Sequence, residues 1–256
     1  MISSHVNLYV TTGHYWEDTE PVHYKLWHLN KAIDHILTLK VNKTKMIVNT
    51  NHNFQCRVNV NVIPEQKFAY NLLWEHKKQI VDFLNSNYTH FLHIEDDIEI
   101  TQETLDYWLR TKQLFENNGL NFIPGLHRIE INDEGKEFSL DATGPVTMAN
   151  EQITKVGDKS FISLPEPYQG VIMFDRQLAY EHINSPYFIR GHHNNYGIAE
   201  SSNLGNTFVS VPKGYKHRIL TPLDNFNECW VNHNLKKYLN LPNSPSAKTP
   251  ARQLFR

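Results

Sequence analysis

Three adjacent carboxylates, Glu95-Asp96-Asp97, follow directly on the compact apolar run Thr89 to Ile94 and lead into Ile98-Glu99-Ile100. Neighbouring carboxylates repel one another unless something positive neutralises them. A solvated acidic turn is the plain reading of such a triplet. At the end of an apolar strand, a divalent cation is the natural partner. Hard oxygen ligands suit Mg²⁺ or Mn²⁺, which commonly bridge one or two carboxylates to a substrate's phosphates. The histidines are weaker signals, because the chain has 15 of them. His90 and His93 lie on opposite faces of the acidic strand by alternation. His192-His193-Asn194-Asn195 reads as a polar loop that either touches a ligand or is solvated.

The elements that must position these groups alternate. Val6 to Thr12 reads as a strand. Tyr24 to Leu39 reads as a helix, with Leu26, Leu29, Ile33, Ile36 and Leu37 at helical spacing. Lys45 to Asn49 is a short buried strand, and Arg57 to Ile63 alternates valine with asparagine as a half-exposed strand does. Glu65 to Asn85 is the clearest amphipathic helix. Another helix spans about Gln102 to Asn117, with Thr101 as its cap and Gly119 at its C-terminal end. Strand and helix in alternation predict an α/β fold, a largely parallel sheet with helices on both faces. Ligands bind beyond the carboxyl ends of the strands in such sheets, and the acidic triplet stands at one of those ends.

The second half is less regular. Ile123 to Ile131 reads as a strand, Asp133-Glu134-Gly135 as a turn and Glu137 to Leu140 as its hairpin partner. Asn203 to Val211 and Tyr215 to Leu220 are candidate short strands. Without a linker or a repeat, residues 1–240 are expected to form one domain. The Pro- and Ser-rich residues 241–256 are expected to be a mobile tail.

Composition narrows the function. Lys and Arg number 25 against 27 Asp and Glu, a net charge of −2, which gives no basic face for a nucleic-acid backbone. Cys56 and Cys229 are the two cysteines and have no C-x-x-C partner, so thiolate zinc is not expected. There is no signal peptide pattern and no membrane span. The sequence therefore predicts a cytoplasmic protein whose membrane contact, if any, is peripheral. P-loop, G-x-G-x-x-G and G-x-S-x-G motifs are all missing.

Phe91-Leu92-His93-Ile94-Glu95-Asp96-Asp97-Ile98 resembles the strand and acidic "DxD" motif of GT-A fold glycosyltransferases, in its E-D-D form. Leu73-Trp74-Glu75-His76-Lys77-Lys78 resembles the stretch before that strand in the same group. Tyr168-Gln169-Gly170 is similar to its acceptor-side segment. Tyr196 to Ser202, Val211 to Tyr215 and Cys229 to His233 are similar, in order and rough spacing, to its later motifs. The likeness spans about Thr89 to Tyr238.

The resemblance implies a GT-A-like, Rossmann-type mixed sheet flanked by helices with a less regular C-terminal acceptor-side half, a nucleotide-sugar donor, a saccharide or other hydroxyl acceptor, and Mn²⁺ or Mg²⁺. It implies that Glu95 and Asp97 hold the cation, with His233 as a further ligand, and that Asp96 lies against the donor. Thr11, Thr12 and Asn49 are placed at strand ends where that fold meets the nucleotide base. Arg57 and Lys77 are candidate phosphate or base contacts, and Gln169 and Gly170 line the acceptor side. Glu200 corresponds to the late carboxylate that takes the acceptor proton in inverting members; it reads equally as a helix-start carboxylate facing backbone N–H groups. Two other readings remain open: a metal-dependent phosphoesterase or nuclease, and a catalytically inactive carbohydrate-binding protein of GT-A-like fold.

Overall fold

The computed structural model describes residues 2–15, 22–63, 69–142, 144–148 and 152–255. The chain starts with β1 (Asn7–His14), α1 (Val22–Thr38), β2 (Lys43–Thr50), β3 (Asn59–Val62), α2 (Ala69–Leu72), α3 (His76–Leu84) and β4 (His90–Ile94). It continues through β5 (Ile98–Glu99), α4 (Gln102–Asn117), β6 (Ile123–Pro124), β7 (His127–Ile131), β8 (Glu137–Ser139), β9 (Ile153–Val156) and β10 (Lys159–Ile162). Then come β11 (Val171–Asp175), α5 (Arg176–Ile183), α6 (Ile198–Asn203), β12 (Ile219–Pro222), β13 (Trp230–His233) and β14 (Thr249–Pro250). These elements form two compact units, Met1–Ile98 with Gly170–Asn206, and Glu99–Gln169 with Thr207–Arg256. Neither is contiguous in the chain, so no linker or shift in composition marks the division.

The first unit is a sheet in the order β11-β4-β1-β2-β3. β1 runs parallel to β2 and β4, β2 runs parallel to β3, and β11 is antiparallel to β4. The α/β class is thus as the alternation predicts, and the antiparallel β11 makes the sheet mixed, as the resemblance implies. β1 is central, and Leu8 to Thr12 are buried along its length. α1 buries Leu29, Ile33 and Ile36, whereas Leu37, at the edge of the same stripe, is 46% exposed. Tyr9, Phe83 and Phe91 form an aromatic group, with Tyr9 stacked on Phe91 at 5.8 Å. Each such buried ring contributes about 1.5–3 kcal/mol.

The long helix expected over Glu65 to Asn85 is divided. Residues 64–68 lie outside the described residues, and a turn at Leu73 to Glu75 separates α2 from α3. That turn changes the direction in which Trp74 is presented, a detail that helical periodicity does not carry.

The second unit holds two sheets. One has the order β6-β12-β10-β9; in the other, β14, β8, β7 and β13 lie side by side. Thr101 caps α4, its hydroxyl accepting from the N–H of Thr104 at 3.2 Å. The strand expected over Ile123 to Ile131 is broken at Gly125, so that β6 and β7 belong to different sheets. A Cβ at Gly125 would stand 2.6 Å from the hydroxyl of Thr221, so only glycine lets β6 lie against β12. Asn203 to Val211 is helix end and turn rather than strand, and the β9–β10 hairpin was not read from the sequence. The core joins Phe115, Phe122, Val156, Phe161 and Leu220. Residues 241–256, expected to be mobile, carry β14, which pairs with β8, and the fully buried Leu254. Phe255 lies edge-on to Phe226 at 4.9 Å. No described helix is long and apolar enough to cross a membrane.

Candidate functional site

The acidic triplet forms a tight turn at the carboxyl end of β4. The N–H of Ile98 donates to the carbonyl of Glu95 at 3.1 Å, and Asp96 and Asp97 are the two central residues. The N–H of Glu95 donates to the carbonyl of Gly170, also at 3.1 Å, tying the turn to the start of β11. Parallel pairing aligns this end with that of β1: Thr11 is opposite His93, and β1 runs on to His14.

Each carboxylate has its own surroundings. Oε1 of Glu95 accepts from Nδ2 of Asn203 at 3.1 Å, at the C-terminal end of α6. Gly170 has φ +60, and a Cβ there would stand 2.8 Å from Oε2 of the same glutamate. Glycine is required at this place, both for the left-handed backbone and for the room it leaves. Asp96 pairs with His14, Oδ2 to Nδ1 at 2.5 Å; the histidine is wholly buried and the aspartate side chain is 30% exposed. Asp97 is buried.

His14 and Asn203 are the residues that sequence reasoning missed. Their signals were faint: His14 lies two residues beyond Thr12 at the end of β1, and Asn203 lies three beyond Glu200 on the same short helix. Only the pairing of β1 with β4, and the return of the chain after β11, bring them to the turn.

The expected donor contacts are placed differently from one another. The hydroxyl of Thr11 hydrogen-bonds Nδ1 of His93 at 3.0 Å, and Thr12 is buried beside it on β1. Asn49 is buried in an amide network, exchanging hydrogen bonds with Gln79 at 3.0 and 3.3 Å and accepting from Asn61 at 2.9 Å. Arg57 is mostly exposed and pairs with Asp34. Lys77 is buried. Its ammonium lies 2.6 Å from Nε2 of His182 and donates to the carbonyl of Tyr187 at 3.0 Å. Burial lowers its pKa to about 7.

Around Lys77 stand neutral imidazoles. His76 and His93 stack with centroids 4.0 Å apart. Burial brings His93 down to about 3, with the Thr11 hydrogen bond opposing the shift. The same desolvation lowers His76 and His182 well below the usual histidine range, with the nearby Lys77 adding to it.

Glu200 occupies the first turn of α6, and its carboxylate folds back over Gly197, where a Cβ would overlap it. In the second unit, Oε1 of Gln169 accepts from the N–H of Leu126 at 3.1 Å. His233 is buried, with Nδ1 2.8 Å from Oε1 of the wholly buried Glu130. The glutamate also accepts from the N–H groups of Tyr238 and Leu239 at 3.2 and 2.7 Å. A carboxylate on Nδ1 fixes the imidazole tautomer, as it does behind many metal-bound histidines.

The donor set of the acidic turn fits a small hard cation. It offers carboxylate oxygens from consecutive residues. Among the described residues no group of three or more His, Cys, Asp or Glu is disposed to hold a metal. A cation here would therefore complete its shell with water and phosphate oxygens, which is the habit of Mg²⁺.

No family model matches the chain, and no curated protein matches it. Among solved structures, it is similar to CMP:2-keto-3-deoxy-manno-octonic acid synthetase complexed with CTP. The identity is 8% and the TM-score 0.40, over 74% of this chain and 80% of that one. A likeness of that depth carries no argument about activity.

Proposed function

We propose that this protein is a metal-dependent glycosyltransferase that moves a sugar from a nucleotide-sugar donor to a hydroxyl acceptor. The observation that supports it is the acidic turn at the carboxyl end of a parallel strand, where two of its three carboxylates are held in fixed directions by Asn203 and His14. Glu95 and Asp97 are the proposed ligands of Mn²⁺ or Mg²⁺, with water and the donor's phosphate oxygens completing the shell. Bound there, the cation supplies Lewis-acid neutralisation of the charge that builds on the leaving diphosphate.

The chain's own groups do the rest. Asp96, steadied by His14, keeps its other oxygen for the donor side of the turn. Gly170 lets Glu95 and Ile98 pack against the backbone at the start of β11, and Gln169 is the proposed acceptor contact, where proximity would lower the barrier. Glu200 is the proposed base if the transfer inverts, in a rotamer that leaves Gly197. Thr11, Thr12 and Asn49 contribute by fixing the strand ends rather than by reaching out, since their polar groups are buried.

The test is a thermal-shift screen of nucleoside diphosphates and their sugars with and without Mn²⁺. A ligand that binds the native state raises its apparent stability by mass action. Stabilisation by a nucleotide sugar only with Mn²⁺ is the expected result. Cleavage of phosphate esters without glycosyl transfer would replace this reading with a phosphoesterase. Saccharide binding indifferent to chelator and nucleotide would replace it with a binding protein.

A further inference from the structure

The segment Pro186 to Gly197 is a closed surface loop. His193 Nε2 hydrogen-bonds the carbonyl of Ile189 at 2.9 Å, and His192 Nδ1 that of Tyr196 at 3.1 Å. Asn194 Nδ2 donates to the hydroxyl of Tyr187 at 3.2 Å. Asn194 and Asn195 take consecutive left-handed conformations, φ 50 and 69, which asparagine tolerates better than most residues. The loop is thus packed by its own side chains, as Ω-loops are.

Its two ends are fastened to the start of α3 and to the α2–α3 turn. At one end, the buried ammonium of Lys77 donates to the carbonyl of Tyr187 and sits over the rings of Phe188 and Trp74, at 5.6 and 5.1 Å. At the other, Nε1 of the buried Trp74 donates to the carbonyl of Ile198 at 2.9 Å. An outer tether joins Arg190 to Asn71. Ile198 is the first residue of α6, and the last residue of α6, Asn203, holds Glu95. The N–H of His193 also donates to Ser201 at 3.0 Å, binding loop and helix together.

We propose that Trp74 and Lys77 are positioning residues: they anchor the strap 187–198 at both ends, and through α6 they set where Asn203 holds the Glu95 carboxylate. Part of this rests on the reading of the acidic turn as a cation site; the anchoring itself does not. A strap held at two points transmits a shift at either point to α6, because six helical residues move as one piece. Trp74 reaches α6 directly through Ile198, and α6 reaches Glu95 through Asn203.

The test uses Trp74→Phe, which keeps an aromatic side chain but removes the N–H, and Arg190→Ala, which cuts only the exposed outer tether. Three properties are measured: amide hydrogen exchange over 187–203, the side-chain amide resonance of Asn203, and affinity for Mn²⁺ alone. Trp74→Phe should speed exchange in that segment roughly five- to tenfold, the scale of one lost hydrogen bond. It should shift the Asn203 resonance and weaken Mn²⁺ roughly tenfold, the scale of a lost supporting partner. Arg190→Ala should change all three in the same direction and by less. Unchanged exchange overturns the anchoring. Faster exchange with an unmoved Asn203 resonance overturns the link to Glu95. A wild-type protein that binds no Mn²⁺ overturns the proposed function, while exchange and the resonance still decide the anchoring.

Discussion

At the scale of single residues, the acidic turn is a set of unlike carboxylates. Asp97 is buried, Asp96 is tied to His14 and Glu95 is tied to Asn203. Asp97→Asn removes a charge and keeps the shape, so transfer should be lost while the melting temperature holds; full Mn²⁺-dependent turnover in that variant would falsify the ligand assignment. Gly170→Ala should act through Glu95. The left-handed backbone alone costs an L-residue about 1–2 kcal/mol, and the new methyl would press on Oε2. Weakened Mn²⁺ binding is expected on top of that loss, and an unchanged Mn²⁺ titration would remove Glu95 from the shell. Glu200 stands in the first turn of α6, with its carboxylate over Gly197. Glu200→Gln therefore separates two roles: a base is worth about 10²–10⁴-fold in turnover, and a helix-start carboxylate about nothing.

At the scale of elements, the C-terminal segment is the clearest revision. Leu254 is fully buried, the N–H of Val146 donates to its carbonyl at 2.6 Å, and β14 extends the sheet beside β8. Truncation after Tyr238 should lower the melting temperature by several degrees. Leu254→Ala alone should cost about 2–5 kcal/mol, as buried leucines do. A truncated chain that melts with the wild type would show that this packing contributes nothing. The prolines and serines that make the segment look mobile lie mostly before Thr249, and the anchoring residues come after it.

At the scale of the whole molecule, stability should climb with pH over a wide range. Lys77 has a folded pKa of about 7 against 10.5 for the free side chain, because burial disfavours its charge. The unfolded chain then binds more protons between those values, so stability rises as pH rises through that window. His93, near 3 instead of 6.5, has the same sign at lower pH: its contribution is lost as pH falls from 6.5 towards 3. Tyr9 has the opposite effect. Burial raises it from 10.0 to about 12, so the fold keeps a proton that the unfolded chain gives up, and stability falls above pH 10. Denaturant midpoints should therefore increase from acid to about pH 9 or 10 and then turn down. Lys77→Met should flatten the slope between pH 7 and 10, and a slope unaltered by that change would mean that Lys77 is charged in the folded state.

Hydrophobic period and turn chemistry are local, and they were legible in the sequence. They placed β1, α1, β2, α4 and β4, and they set the carboxylates at the end of an apolar strand, because burying one face requires apolar residues at fixed intervals. Interruptions of one or two residues were not legible. The turn at Trp74 and the break at Gly125 hardly alter the periodicity, yet each redirects the chain beyond it. Partnership between distant residues was not legible either. His14 with Asp96, Asn203 with Glu95, Lys77 with His182 and Glu130 with His233 are separated by 82, 108, 105 and 103 residues. A lone histidine, asparagine or lysine has the same local signature at the surface as in a buried pair. Sheet order and chain return decide which it is, and those depend on the packing of the whole unit rather than on any one stretch of it.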